Sequence, residues 1–254
     1  MNPTVIIMSY RPLISLGLLG LLAVNQAAAS ISLSSTRLIF DGKHKEASLT
    51  VRNSGEDVLI QSWVDSDNQT AAVPFAVTPP LARISGQEQQ LLRVIYEGAG
   101  MPNDQESVLW LNVQEIPQAS KIKNTLQLAV RQRIKLFFRP AGLTAQAYSA
   151  PSELLWQLHN RSGHSLLTVK NPGVYHVSMS DITVVSGTSS ELAAESSMIA
   201  PGQLKEFPLK QLHSPSRAQL SFASINDYGA LDAYSAQLVS TASTTARLNK
   251  ESPK

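Results

Sequence analysis

From Ile31 onward, apolar residues recur at every second position. Ile31, Leu33 and Ile39 alternate with serines and Thr36, and after the turn pair Asp41-Gly42 the pattern continues through Ala47, Leu49 and Val51. Val58, Ile60, Ser62 and Val64 form a third run, Leu92, Val94 and Tyr96 another. Leu109, Leu111 and Val113 then stand opposite Val108, Trp110 and Asn112. A period of two, broken by clusters of Gly, Pro, Asn and Asp, marks half-buried strands rather than helices. About seven strands are predicted between residues 31 and 139, the complement of an immunoglobulin-like sandwich. No segment after residue 29 keeps a helical period.

One run breaks the rule of short strands. Thr125 to Arg139, TLQLAVRQRIKLFFR, contains no turn residue. Fully extended at about 3.3 Å per residue it would reach roughly 45–50 Å. Its even positions are Leu126, Leu128, Val130, Gln132, Ile134, Leu136 and Phe138, whereas the odd ones include Gln127, Arg131, Arg133 and Lys135. An apolar strand edge of this length pairs with other chains unless something covers it. Two readings stand at this point: a bent strand serving two sheets, or an edge meant for a partner.

Pro140-Ala141-Gly142 interrupts the pattern as a hinge does, and alternation then resumes. Leu154, Trp156 and Leu158, then Leu167 and Val169, Val174 to Met179, Leu220 and Phe222, and Tyr234 to Val239 are strand runs. Asn171-Pro172-Gly173, Pro201-Gly202 and Asp227-Tyr228-Gly229 supply turns between them. The expected fold is all-β, two immunoglobulin-like sandwiches in tandem, spanning residues 30–140 and 144–245. Residues 246–254 are expected to be a flexible tail.

Length agrees with this division, since 254 residues suit two domains of roughly 100–150 each. The first 29 residues are different. They hold no acid and one base, Arg11, with an apolar run from Leu13 to Val24 followed by Ala27-Ala28-Ala29. The run is too short for a membrane span of about 20 residues and has the form of a cleavable secretory signal. Residues 1–29 are therefore expected to be a signal peptide, with Met8 a second candidate start and the mature chain beginning near Ser30. The protein is expected to be exported and not membrane-spanning.

Composition removes several classes of function. With 21 basic and 19 acidic residues the formal charge is +2, so there is no footprint for nucleic acid. There is no cysteine, which excludes disulfides, thiolate nucleophiles and thiolate-bound metals. The five histidines are scattered without a ligand spacing, and no nucleophile elbow, phosphate loop or dinucleotide fingerprint occurs. Asp65-Ser66-Asp67 starts like a calcium loop, but Thr70 stands where the loop needs glycine and Ala76 where it needs glutamate. Asp104, Glu106 and Glu115 do not assemble into an acid–base pair on a strand. No enzyme, cofactor or metal site is expected.

The segment MPNDQESVLWLNVQEIP, Met101 to Pro117, closely resembles the signature of the periplasmic pilus chaperones of the chaperone–usher pathway, the PapD-like family. It carries Asp104, Gln105, Glu106 and Ser107, then Trp110 two residues before Asn112, and a terminal Ile116-Pro117. STRLIF (Ser35–Phe40), TPPLARI (Thr78–Ile84), RIKLFFRP (Arg133–Pro140) and INDYG (Ile225–Gly229) resemble the family in the same order. The short connection between Glu115 and Leu126, with no cysteine pair, is similar to the short-loop subclass. Asn171-Pro172-Gly173-Val174 departs from the family pattern in the second domain.

The resemblance implies two sandwiches set at an angle, no enzymatic activity and a periplasmic location. It also implies binding to pilus (fimbrial) subunits and delivery to an outer-membrane usher. Subunits of such pili lack a final strand, and the chaperone supplies one by β-strand addition. On that basis Leu126, Leu128 and Val130 are expected to fill the subunit groove. Arg37 and Lys135 are expected to bind the subunit's terminal carboxylate. Glu106, Arg139 and Asp227 match the family's charge network between domains. The alternative is an exported structural or adhesive β-sandwich subunit, which would usually carry an N-terminal donor extension.

Overall fold

A computed structural model describes residues 30–67, 72–116, 128–161, 164–213, 215–240 and 242–249. The expected signal peptide, Leu126 and the connection before it lie outside these residues. Nine strands make the first sandwich: β1 (Ile31–Leu33), β2 (Arg37–Asp41), β3 (Glu46–Asn53), β4 (Val58–Asp65), β5 (Phe75–Thr78), β6 (Leu81–Ile84), β7 (Gln89–Tyr96), β8 (Ser107–Ile116) and β9 (Arg131–Arg139). One sheet runs β1-β3-β7-β5 and the other β2-β9-β8-β4-β6. The count exceeds the sequence expectation of about seven because two of the runs change sheet. The first run crosses over between Leu33 and Arg37, and Pro79-Pro80 divides β5 from β6.

Alternation along each strand places one face in the core. In β4, Val58, Ile60, Ser62 and Val64 are buried and their neighbours are not. Phe40, Val51, Leu92, Leu111 and Leu136 fill the centre of the sandwich. Four rings close one end of it: Phe75 stacks on Tyr96 at 4.9 Å between centroids, and Phe40 and Phe138 meet both of them.

A short helix, α1 (Ala150–Glu153), links the two halves, with Pro151 in its first turn where a missing N–H costs nothing. The second sandwich follows as β10 (Leu155–Arg161), β11 (His164–Lys170), β12 (Val177–Ser186), β13 (Ser189–Ile199), β14 (Leu204–Leu209), β15 (Arg217–Ile225), β16 (Leu231–Val239) and β17 (Arg247–Leu248). Its sheets are β10-β11-β14 and β13-β12-β15-β16-β17 around Trp156, Leu158, Leu167, Leu220 and Phe222.

Two expectations differ from the structure. The long run does not extend as one strand from Thr125. β9 starts at Arg131, and the residues from Leu128 to Val130 precede it without strand geometry. The β8–β9 register ends at Gln114 opposite Arg131, although β8 runs on to Ile116 beside β4, and one further bond joins the Glu115 N–H to the Val130 carbonyl at 2.9 Å. The second difference is the tail. Thr244 exchanges two backbone bonds with Trp156, at 2.8 and 2.9 Å, Ala246 is buried in the second core, and β17 pairs with β16. Residues 246–249 are therefore part of the sandwich.

Candidate functional site

The site grows out of β9, which has a different neighbour along each half of one edge. On its β8 side it is paired from Arg131 to Phe138. On the other side β2 runs parallel to it and covers only Lys135 to Arg139. Among the described residues no strand pairs with that edge from Arg131 to Ile134; the Gln132 side-chain amide donates to the Ile31 carbonyl at 2.9 Å. Even positions point to the core side: Leu136 and Phe138 are buried and Ile134 packs against the core. Before β9 begins, Val130 is half-buried and Leu128 is 71% exposed.

Where β2 meets β9, the parallel register makes Arg37 and Lys135 direct partners. Arg37 donates from Nη1 to the Ile225 carbonyl at 2.9 Å and lies 5.4 Å from the Phe137 ring. Its Nε is buried with no hydrogen-bond partner. Lys135 has its Nζ 6.0 Å from the Trp110 ring. Burial pushes the pKa of both groups below the ordinary values; for Lys135 the neighbouring Arg37 pushes the same way. Among the described residues neither forms an ion pair. They line an open pocket of about 460 Å³ together with Trp110, Ile225, Gly229 and Leu231. The pocket is thus lined by two partly buried cations, with Asp227 and Glu106 acting on Arg37 and Asp67 on Lys135 only at longer range.

Arg139, four residues along β9, is fully neutralised. Its Nε donates to Glu106 Oε2 at 2.7 Å, and its two terminal nitrogens donate to the two oxygens of Asp227, each at 2.7 Å. Burial works to lower the Arg139 pKa, but the bonds to Asp227 and Glu106 outweigh it and hold the guanidinium above its ordinary value. Glu106, 1% exposed, uses its other oxygen on the second sandwich: Oε1 accepts from the His176 N–H at 2.8 Å and from His176 Nδ1 at 3.0 Å. Its own N–H donates to the Val174 carbonyl. The three residues singled out in the sequence thus come together between the two sandwiches.

Sequence reasoning missed His176, which sits among apolar residues with no spacing to mark it. It also missed the role of Asp65. Rather than opening an ion loop, Asp65 accepts from Arg131 at 3.1 Å and from Arg133 at 3.0 Å. Those arginines lie over Trp63 and Trp110, at 4.8 and 4.2 Å, in a ladder on the outer face of the sheet. Glu115 accepts from the Ile31 N–H at the start of β1.

Residues 30–144 match the family model described as the pili and flagellar-assembly chaperone, PapD N-terminal domain, and residues 149–236 match the pili assembly chaperone PapD, C-terminal domain. The chain is 39% identical over 221 residues to a probable fimbrial chaperone, LpfB, of Escherichia coli O157:H7, covering 85% of this chain and 91% of that one. The crystal structure of the YadV chaperone superposes with a TM-score of 0.72 at 33% identity, over 83% of this chain and all of the other. The SafB chaperone, solved in complex with the SafA pilin of Salmonella enterica, gives a TM-score of 0.68 at 25% identity, over 84% of this chain and 97% of that one.

Proposed function

The chain belongs to the pili-assembly chaperone family, and from that premise we propose that it captures pilus subunits along the open edge of β9. It is a fimbrial chaperone of the PapD-like type rather than a structural subunit, since its relatives match over most of both chains and both sandwiches. The single observation that supports the mechanism is the coincidence of two features at β9: an edge left unpaired by the described strands, after an exposed leucine, and two cations, Lys135 and its β2 partner Arg37, that form no ion pair among the described residues.

A subunit lacking its last strand presents an open groove. In strand addition its backbone pairs with the edge that β2 leaves free, and alternate side chains enter the groove. Leu126, Leu128 and Val130 are the groove-filling residues of this proposal, each contributing about 1.5–3 kcal/mol if fully buried. Arg37 and Lys135 hold the subunit's terminal carboxylate. Every subunit has one such carboxylate, so gripping it fixes the register of pairing, which period-two alternation alone leaves open to slippage. Because both cations are already partly desolvated in the free chain, much of the usual cost of burying an ion pair falls on folding rather than binding. The Glu106–Arg139–Asp227 network fixes how the two sandwiches sit around the site.

The proposal places the protein in the periplasm, exported by residues 1–29, acting without enzymatic chemistry and handing subunits to an outer-membrane usher. Expression in a periplasm with the pilins of the same host, followed by mass spectrometry of what co-purifies, tests it. A pilin is expected to travel with the wild-type chain and to be lost from Arg37→Ala and Lys135→Ala proteins of normal circular dichroism. Undiminished pilin yield with both variants overturns the carboxylate grip.

A further inference from the structure

The turn from Ile225 to Gly229, between β15 and β16, reaches two arginines of the first sandwich, Arg37 and Arg139. Its first carbonyl, of Ile225, accepts from Arg37 at 2.9 Å. Two residues on, the Asp227 carboxylate takes both terminal nitrogens of Arg139. Gly229, at φ 83°, lies so close to Thr36 that a Cβ there would stand 2.6 Å from Thr36 Oγ1. Thr36 is the residue before Arg37.

One side chain holds this turn. Asn226 Oδ1 accepts from the N–H groups of Tyr228 and Ala230, at 3.1 and 3.0 Å, and its Nδ2 donates to Asp232 Oδ2 at 3.1 Å. Its backbone bonds Ala230 and Gly229 as well. The type of acceptor offered to each arginine differs, and the difference matters. A carboxylate orients a guanidinium and cancels its charge, as Asp227 does for Arg139. A carbonyl orients it and leaves the charge intact, so Arg37 is aimed yet still free to attract an anion.

We infer that Asn226 is a positioning residue for the anion site: by holding the 225–229 turn it aims the Ile225 carbonyl at Arg37, so the second sandwich sets the geometry with which the first grips a chain-terminal carboxylate. The inference rests on the proposed function, and it makes the grip conditional on the two sandwiches being docked.

Two synthetic peptides of alternating valine and threonine, identical except that one ends in a free carboxylate and the other in an amide, test it on the full chain. The wild-type protein is expected to prefer the acid by about tenfold or more, the worth of a charge-assisted bond. Arg37→Ala and Lys135→Ala are expected to abolish that preference. Asn226→Ala is expected to reduce it at least about fivefold while leaving affinity for the amide unchanged, an effect that general destabilisation would not produce. The pair Asn226→Asp with Asp232→Asn exchanges donor and acceptor across the same bond and is expected to restore the preference. If Asn226→Ala does not fold, Asp232→Ala, which removes one partner only, takes its place and is expected to weaken the preference in the same sense. A preference lost in the Arg37 variant but intact in the Asn226 and Asp232 variants overturns the positioning role alone. No preference in the wild type, or one that survives Arg37→Ala and Lys135→Ala, overturns the carboxylate grip itself.

Discussion

Arg37 and Lys135 are register partners across two parallel strands, and among the described residues neither forms an ion pair. Four residues further along β9, Arg139 holds two carboxylates. β9 thus carries a cation paired to the other sandwich and, together with β2, a pair of cations without ion pairs among the described residues. Folding alone would favour removing that pair. On the proposed function, the pair is kept for a negative charge that arrives with the subunit.

Lys135 should therefore cost the free protein stability at neutral pH. Its folded-state pKa is lowered by burial and by Arg37, so between that value and the ordinary lysine value the unfolded chain binds more protons than the folded one. Stability then rises with pH through this window, and the penalty is fully present below it. Lys135→Met is expected to unfold at a higher urea concentration than wild type at pH 7. The gap should close as the pH approaches 10.5, the ordinary lysine value. A variant less stable than wild type at pH 7 would contradict this account.

The interdomain network makes an ordered prediction. Glu106 is 1% exposed and Asp227 is 40% exposed at their side chains. Removing Arg139 as Arg139→Ala leaves Glu106 buried without its strongest partner, a loss of about 3 kcal/mol. Asp227→Asn leaves Arg139 its Glu106 bond and touches a solvated pair, a loss of about 1 kcal/mol or less. Chemical unfolding of the two variants measures the order. Equal losses would mean that Glu106 does not depend on Arg139 for its burial, and that His176 alone suffices.

Much of this was legible in the sequence, and the gaps have physical causes. The two sandwiches follow from period-two patterning, because burial of one face leaves no other solution for Val58, Ile60 and Val64 or for Leu109, Leu111 and Val113. Glu106, Arg139 and Asp227 were named from motif resemblance, and they do meet. The start of β9 was not legible, since its pairing with β8 stops at Arg131 although β8 runs on to Ile116, and the run itself has no breaker. The Ile225 carbonyl was beyond reach because a backbone acceptor has no residue signature. His176 carries its information in position, not in type. The tail misled by composition: Ser and Thr around Ala246 suggest fraying, but a single buried alanine and the backbone bonds of Thr244 are enough to seat it.

That seated tail gives a third prediction. Residues 242–249 bridge the edges of both sheets of the second sandwich, through Trp156 with Thr244 and through β16 with β17. Truncation after Ser240 removes two Trp156–Thr244 bonds, the Asn249 N–H bond to the Ala233 carbonyl, and the cover over Trp156. At about 1 kcal/mol net for each bond, the second sandwich should lose about 3 kcal/mol. Calorimetry of the truncated protein is expected to show a lower melting temperature. An unchanged melting temperature would make these contacts dispensable.

Leu128 separates strand donation from self-packing. It is 71% exposed in the free chain, lies before β9 begins, and is outside the core cluster that takes in Ile134 and Leu136. A charge placed there stays in water while the protein is alone. Leu128→Glu is therefore expected to melt within about 0.5 kcal/mol of wild type, the range of an ordinary surface substitution. Capture of a pilin lacking its final strand is a different matter. The groove would have to desolvate a carboxylate with no partner, at a cost of several kcal/mol, enough to reduce capture by two orders of magnitude or more at about 1.4 kcal/mol per tenfold. Thermal melting of the free variant beside its yield of pilin complex measures both effects. A large fall in melting temperature, with capture limited only by unfolding, would place Leu128 in this protein's own core and transfer the groove-filling role to the odd positions around Gln127 and Ala129. Normal melting with normal capture would remove Leu128 from the interface altogether.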